Sequence, residues 1–292
     1  MTLDMSELDI HGKQHYLQHA IAPRPICFAS TINKSGQVNL SPFSFFNLFS
    51  IEPPVAIFSV SRRVRNNTIK HSLENVLEIP EVVINVVDED MVWQTSLASC
   101  EYPKEVSEFQ KAGFTAEPAQ LVRPPMVKES KIKFECNVQA IQALGEKGGS
   151  GNLVICTILR MHIDDSILNQ NKRIDQSKIH HVARLGGDWY CRVNETNLFS
   201  VQKANSELGI GIDGLPSSIR TSKMLTGNHL AQLANVEVLP EPDPAFHDPR
   251  LSKICQYFSV NPEDMETEIH RYAAELLDGG KSKDAWQVLL SI

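Results

Sequence analysis

The sequence predicts a mainly β fold with interposed helices, a barrel rather than a parallel sheet. Three features point there. Runs rich in β-branched and aromatic residues recur between Ile26 and Ile163, each bounded by Gly, Pro, Asn or Ser. Helical patterns fall between some of these runs without alternating regularly with them, as a parallel sheet would require. The run from Ile132 to Ile141 alternates apolar and polar residues with period two, as a half-buried strand does.

Taken in order, Ile10 to Ala20 reads as a short helix, closed by the extended Ala22-Pro23-Arg24-Pro25. Ile26 to Ile32 is a strand, Asn33 to Gly36 a hairpin turn, and Val38 to Ser41 the start of the return strand. Pro42 to Asn47 is aromatic and rich in hydroxyls and does not alternate cleanly. Pro53-Pro54 punctuates, and Val55 to Val60 is a further strand. Ile69, Leu73, Val76 and Leu77 recur at helical spacing, which predicts an amphipathic helix over Asn67 to Leu77. A buried strand over Glu81 to Val87 follows, then helical segments over Glu89 to Ser99 and Ser107 to Ala112. Gly145 to Gly151 turns the chain between the Ile132 strand and a last strand over Asn152 to Ile163.

Strand density drops beyond Val193, and two helices, Pro262 to Leu277 and Lys281 to Leu290, end the chain. Two domains are expected, a barrel over residues 1–195 and a C-terminal extension of loops and helices over 196–292. No internal repeat is visible.

Composition is that of an ordinary globular chain, 42% hydrophobic and 22% charged over 292 residues. A formal net charge of −7 and a pI near 5.8 argue against nucleic acid as a partner, because an acidic surface repels a phosphate backbone. The one basic cluster, Arg62, Arg63 and Arg65, is too short for a nucleic-acid track and large enough for one small anion. Six cysteines lie far apart, with no C-x-x-C pair and no histidine at ligand spacing, so neither a disulfide framework nor a metal site is expected. They read as buried thiols of a reducing compartment. The N-terminus is acidic and lacks the apolar core of a signal peptide, and no apolar run approaches the roughly 18 residues of a membrane span. A cytoplasmic protein without a membrane partner is expected.

Three segments gather hydroxyl, amide and guanidinium groups beside strands. They are Ser30-Thr31; Ser41 to Asn47, which includes Pro42, Phe43, Ser44 and Phe45; and Ser59 to Thr68, which includes Ser61, Arg62, Arg63, Arg65 and Asn67. Phosphate oxygens accept hydrogen bonds from hydroxyls, backbone N–H groups and arginines. A helix opening near Thr68 would aim its free N–H groups at the same anion, and a planar ring would use an apolar slot edged by backbone donors and acceptors. Each piece also has a plain reading: Ser30-Thr31 as strand residues, the phenylalanines as core, the arginines as a solvated turn, Thr68 as a helix cap. Together they suggest a phosphate-bearing planar cofactor, and no single element decides it.

The string Pro23-Arg-Pro-Ile-Cys-Phe-Ala-Ser-Thr31 is followed in order by Asn39 to Asn47, Pro53 to Val60, the Asn66-Asn67-Thr68 turn and Val83 to Val87. In this it resembles the flavin reductase-like, FMN-binding split-barrel family, to which flavoredoxins belong. Phe109 to Thr115, Pro124-Pro125, Glu135-Cys136, Gly151 to Val154 and Ala183 to Tyr190 continue the likeness, which spans about residues 15–192. The resemblance implies a Greek-key split β-barrel, FMN as cofactor, NADH or NADPH as electron donor, and a homodimer with the flavin near the subunit interface. It carries flavin contacts onto Ser30, Thr31, Ser41 through Asn47, and the Ser59–Thr68 turn, with Arg184 and Tyr190 near the pocket. Asn67 stands where family members often have lysine or aspartate, which shifts phosphate anchoring toward Arg62, Arg63 or Arg65. Hydride transfer between a nicotinamide and a flavin needs no protein acid or base, so no catalytic side chain is assigned. NAD(P)H-dependent flavin reduction is the expected activity. A flavin-binding barrel without turnover and a pyridoxamine-phosphate-oxidase-like enzyme are the alternatives.

Other motifs fail on context. Gly209-Ile-Gly211-Ile-Asp-Gly214 fits G-x-G-x-x-G, with Glu237 near the distance of a ribose-binding acid. Lys203 to Leu208 does not read as a buried strand, however, and Pro216 follows closely, so a tight loop is expected. Gly279-Gly280-Lys281-Ser282 resembles the end of a P-loop, but Glu275 stands at the first glycine position and a helix precedes it. His180 and His181 point apart in any regular element.

Overall fold

In the computed structural model, which describes residues 1–201 and 208–291, the first unit of the chain is built on one curled sheet. Helix α1 (Ile10–Ala20) leads into β1 (Cys27–Ile32), β2 (Val38–Phe43), β3 (Phe46–Ser50) and β4 (Val55–Ser59). After α2 (His71–Glu78) and β5 (Glu81–Val86) come the short helices α3 (Val92–Leu97) and α4 (Glu108–Ala112). The small pair β6 (Ala116–Glu117) and β7 (Met126–Val127) precedes the long hairpin β8 (Ile132–Ala143) and β9 (Asn152–Ile163). Helix α5 (Gln176–Ile179) and the pair β10 (Val182–Arg184) and β11 (Tyr190–Arg192) complete it.

The seven-stranded sheet runs β2-β1-β5-β8-β9-β4-β3, and every neighbouring pair is antiparallel. Its two edges are consecutive in the chain, separated only by Ser44 and Phe45. A flat sheet of this width would hold its edges about 29 Å apart. Two intervening residues allow Phe43 and Phe46 to be no farther apart than about 11 Å. The sheet therefore curls until its edges almost meet, which makes a split barrel with its seam between β2 and β3.

Alternate residues of the strands meet inside the curl: Ala29, Phe58, Ile84, Val138 and Val154 among them, closed by Leu73 and Val76 of α2. On the opposite face of β1 and β2, Phe28 and Leu40 pack with Met91, Phe109 and Phe114 from the α3–α4 region. Burial on both faces explains why β1 reads as a nearly continuous apolar run. β3 is the reverse case. Asn47, Leu48 and Phe49 are all exposed on this edge strand, so no burial alternation marks it in the sequence.

The amphipathic helix opens at His71, later than its apolar spacing suggests. Asn66 Oδ1 accepts hydrogen bonds from the Thr68 N–H (3.3 Å) and hydroxyl (2.8 Å), and Asn67 takes a left-handed φ of 55°. Such side-chain bonds compete with helical ones. Lys70, extended at φ −86° and ψ 156°, becomes the cap residue. The segment expected to be helical over Glu89 to Ser99 is a single 3-10 turn followed by α3.

The second unit, Ser200–Ile292, is helical. Helices α6 (Ser217–Arg220), α7 (Gly227–Ala234), α8 (Pro249–Tyr257), α9 (Pro262–Asp278) and α10 (Ser282–Leu289) surround a core that includes Leu233, Ile269, Ala273, Leu277 and Trp286. Gly211, at φ 76°, starts a 3-10 turn over Ile212–Gly214, a loop and not the strand-to-helix turn of a dinucleotide site. Of the Lys203–Leu208 stretch, residues 203–207 lie outside the described residues. Gly280 turns α9 into α10 at φ 70°.

His270 of α9 is buried, and its Nδ1 lies 2.8 Å from Ser222 Oγ. Burial holds its pKa below the ordinary 6.5, with Glu266 opposing the shift. The unfolded chain then takes up a proton that the native imidazole resists. The stability contribution is intact above about pH 6.5 and is lost as pH falls through the lowered native value. Chemical denaturation at about pH 7 and about pH 5 should therefore show wild type losing stability relative to His270→Gln on acidification. An unchanged difference between the two proteins would overturn this assignment.

Candidate functional site

The seam brings together chemistry from β2, the Ser61–Lys70 turn and the start of α2. Along β2, Asn39, Ser41 and Phe43 share one face by the two-residue repeat of a strand. The turn is closed by Arg63 N–H to Thr68 O and Asn67 N–H to Arg63 O, both 2.9 Å. Arg62 is consumed within it, donating from Nε to Asn67 Oδ1 (2.7 Å) and from Nη2 to Asn67 O (2.6 Å). Arg63 donates from Nη1 to Thr68 Oγ1 (3.1 Å) and to Ile69 O, and from Nε to Glu101 Oε1 (3.2 Å). Arg65 is exposed and pairs with the other oxygen of Glu101.

Lys70 is the group that the sequence reading missed. Its Nζ lies 5.7 Å from the centroid of Phe43. Among the described residues no carboxylate oxygen lies within 4 Å of it. Burial and the neighbouring Arg63 charge push its pKa below the ordinary lysine value, with Glu101 opposing. Ser41, Pro42, Arg63, Lys70 and His71 line one cleft. The backbone N–H groups of His71 and Ser72 open α2 there, since its helical bonds begin with Leu73 and Glu74 onto Lys70 O.

Across the cleft stand Ser99 to Tyr102 and Glu108. Glu108 is buried, and Oε2 accepts the Leu40 N–H at 3.0 Å, a strand-edge donor with no neighbouring strand to bind it. The Asn39 amide, with its nitrogen toward Glu108 Oε1 (3.2 Å), accepts from Ser72 Oγ (2.8 Å). Burial raises the pKa of Glu108, and the Leu40 N–H opposes that rise.

A second group gathers at the β2–β3 connection. Arg24 is buried and donates from Nη1 to Gln18 O and Ile21 O (both 2.6 Å) and from Nη2 to Leu185 O (2.8 Å). Its Nε reaches Ser44 Oγ at 3.5 Å, and its guanidinium lies 6.0 Å from the Phe45 ring centroid. Arg184 exchanges backbone hydrogen bonds with Arg24 and stacks 4.5 Å from the Tyr190 centroid. Burial, with Arg184 nearby, lowers the Arg24 pKa.

The remaining expected residues do not converge on the cleft. Ser30 and Thr31 point to opposite faces, because neighbours on a strand must. Thr31 Oγ1 accepts from Asn75 of α2 at 3.1 Å, and Ser30 Oγ is buried without a partner. Ser59 is buried at the end of β4, so close to Gly151 that a Cβ there would stand 2.5 Å from Ser59 Oγ. Ser61 leads into the turn, half-buried, and Asn47 is exposed on β3, its Oδ1 accepting the Leu48 N–H.

A family model described as the flavin reductase like domain matches residues 19–178, more than half of the chain. The chain belongs to the flavin reductase-like family. A protein of Halalkalibacterium halodurans is 36% identical over 198 residues, covering 67% of this chain and 94% of its own length. Nitrilotriacetate monooxygenase component B from Bacillus cereus superposes with a TM-score of 0.64 at 27% identity, over 69% of this chain and 98% of that one. A protein with a split barrel domain from Shewanella frigidimarina gives a TM-score of 0.59 at 25% identity, over 70% and 99% of the two chains. The flavin reductase-like domain is thus a split barrel of a flavin-linked oxidoreductase family. Arg63, Lys70, the α2 N–H groups and the Ser41 hydroxyl gather at this one cleft.

Helix α1 buries none of its own residues; the Arg24 contacts, together with the His19 ring against Gly186, fasten its C-terminal turn to the barrel. Arg24→Met should cost about 2–4 kcal/mol by leaving these carbonyls without their charged donor. Limited proteolysis should then cut first near α1. Unchanged stability together with unchanged resistance of α1 would refute the clamp.

Proposed function

We propose that the flavin reductase-like domain binds FMN at the seam and passes electrons from NADH or NADPH through it to a flavin, protein or small-molecule acceptor. The observation that carries this reading is Lys70: a half-buried cation with no carboxylate of the described residues within 4 Å, beside Arg63 and the opening of α2. An uncompensated cation of this kind calls for an anion, and a phosphate monoester matches the donors around it. Arg63, Lys70, Ser41 and the His71 and Ser72 N–H groups would hold the phosphate. The Ser41–Asn47 stretch, with Phe43 and Phe45, would supply an apolar wall and backbone groups for the ring. Bound flavin supplies the hydride chemistry; the chain's own residues bind and orient, and none is assigned as acid or base.

Flavin fluorescence quenching tests the site. Lys70→Met should weaken FMN binding roughly 10- to 100-fold, the loss of one charged hydrogen bond, with little effect on riboflavin, which lacks the phosphate. Equal effects on both ligands would place the phosphate elsewhere. Mixing the FMN-loaded protein with NADH or NADPH without oxygen should bleach the flavin; no bleaching with either nucleotide would leave a binding module.

We also propose a homodimer formed along the seam edge. Phe45, Leu48, Phe49 and Ile51 are 47%, 52%, 64% and 75% exposed, a group of apolar side chains on and flanking the open β3 edge. Sedimentation should give twice the chain mass for wild type and the single mass for Phe49→Glu. A wild-type monomer would overturn the dimer.

A further inference from the structure

The cleft contains a carboxylate where an anionic ligand would go. Glu101 gives one oxygen to Arg63 Nε at 3.2 Å and the other to Arg65. It sits on the segment between α3 and α4, whose Lys104 in turn binds Glu74 of α2 at 3.1 Å. This segment therefore faces the cleft while tied to both the arginine turn and α2.

We propose that Glu101 is an internal competitor for the ligand phosphate, occupying the arginines until an anion displaces it and so making flavin an exchangeable ligand. The inference rests on the flavin reading above. Two features separate competitor from scaffold. Arg63 is already oriented by Thr68 Oγ1 and Ile69 O, so it does not need Glu101 to hold its guanidinium in place. The side chains of Glu101 and Arg65 are 44% and 74% exposed, and an ion pair so open to water is weak and easily exchanged. Arg63 is 15% exposed and is the more firmly held arm, so an incoming anion competes with Glu101 chiefly there. Lys70 has no such partner and keeps its charge available as the first point of attraction.

Removal of the carboxylate should favour phosphate-bearing ligands alone. Glu101→Gln and Glu101→Ala should each bind FMN roughly 5- to 20-fold more tightly than wild type, with riboflavin affinity unchanged, since one opposing charge near a phosphate is lost. The alanine variant separates loss of repulsion from a new amide hydrogen bond in the glutamine variant. Weaker FMN binding in both would make Glu101 a positioning group and overturn the proposal, as would no change. Inorganic phosphate gives a readout independent of flavin. The thermal stabilisation that it produces should begin at lower concentration in both variants. If FMN binds neither wild type nor variants, the flavin reading fails, and the phosphate response still decides the role of Glu101: equal responses reject it.

Discussion

The candidate site depends on one covalent constraint, the Ser44-Phe45 connection that ties the two edges of a seven-stranded sheet together. Curling brings the edges close without hydrogen-bonding them to each other, so backbone donors near the seam must find partners outside the sheet. Leu40 N–H takes Glu108, a buried carboxylate from α4. The seam is consequently held by polar groups from helices and turns. Asn39, Ser72 and Glu108 join β2, α2 and α4 in one network at the edge of the cleft. A fully closed barrel would have used the same backbone groups in a ladder, leaving no strand edge for a ligand to approach.

Charge is distributed along the seam in a graded way. Arg24 is buried among carbonyl oxygens, where its charge-assisted bonds fix α1 and the β10 segment. Glu108 is buried against a backbone N–H, and its raised pKa records the cost of that position. Arg63 is partly shielded, and Arg65 is in water. Burial thus decides which of these charges act on the fold and which remain available to a ligand.

Much of this was legible in the sequence. The period-two run predicted as Ile132–Ile141 is the core of β8, and Asn152–Ile163 is β9 to the residue. The hairpin at Asn33–Gly36 is present, with Gly36 at φ 82°. What escaped were elements whose signals are not periodic. β3 is an exposed edge strand, so no face of it had to be apolar. The start of α2 was placed early because Ile69 fits the apolar spacing, although its residue lies in the turn. That four-residue displacement hid Lys70, since a lysine inside a helix reads as a solvated face, whereas a lysine at the cap stands at the opening of the cleft. Ser30 and Thr31 read as one polar pair in the sequence; alternation along β1 sends their side chains to opposite faces.

The basic segment shows why counting charges was a poor guide to the site. Four cations lie between Arg62 and Lys70, and their roles differ because their neighbours differ. Arg62 spends its guanidinium on Asn67, the left-handed residue that closes the turn. This bond supports a backbone conformation that asparagine tolerates better than most residues. Closing the turn places Thr68 and Ile69 where they orient Arg63, and sets Lys70 at the head of α2 over the Phe43 ring. Removing Arg62 would therefore disturb Arg63 and Lys70 through the turn. The same reasoning accounts for Asn67 in place of the lysine or aspartate expected from the family pattern. Its side chain and carbonyl are acceptors for Arg62, so the residue shapes the turn.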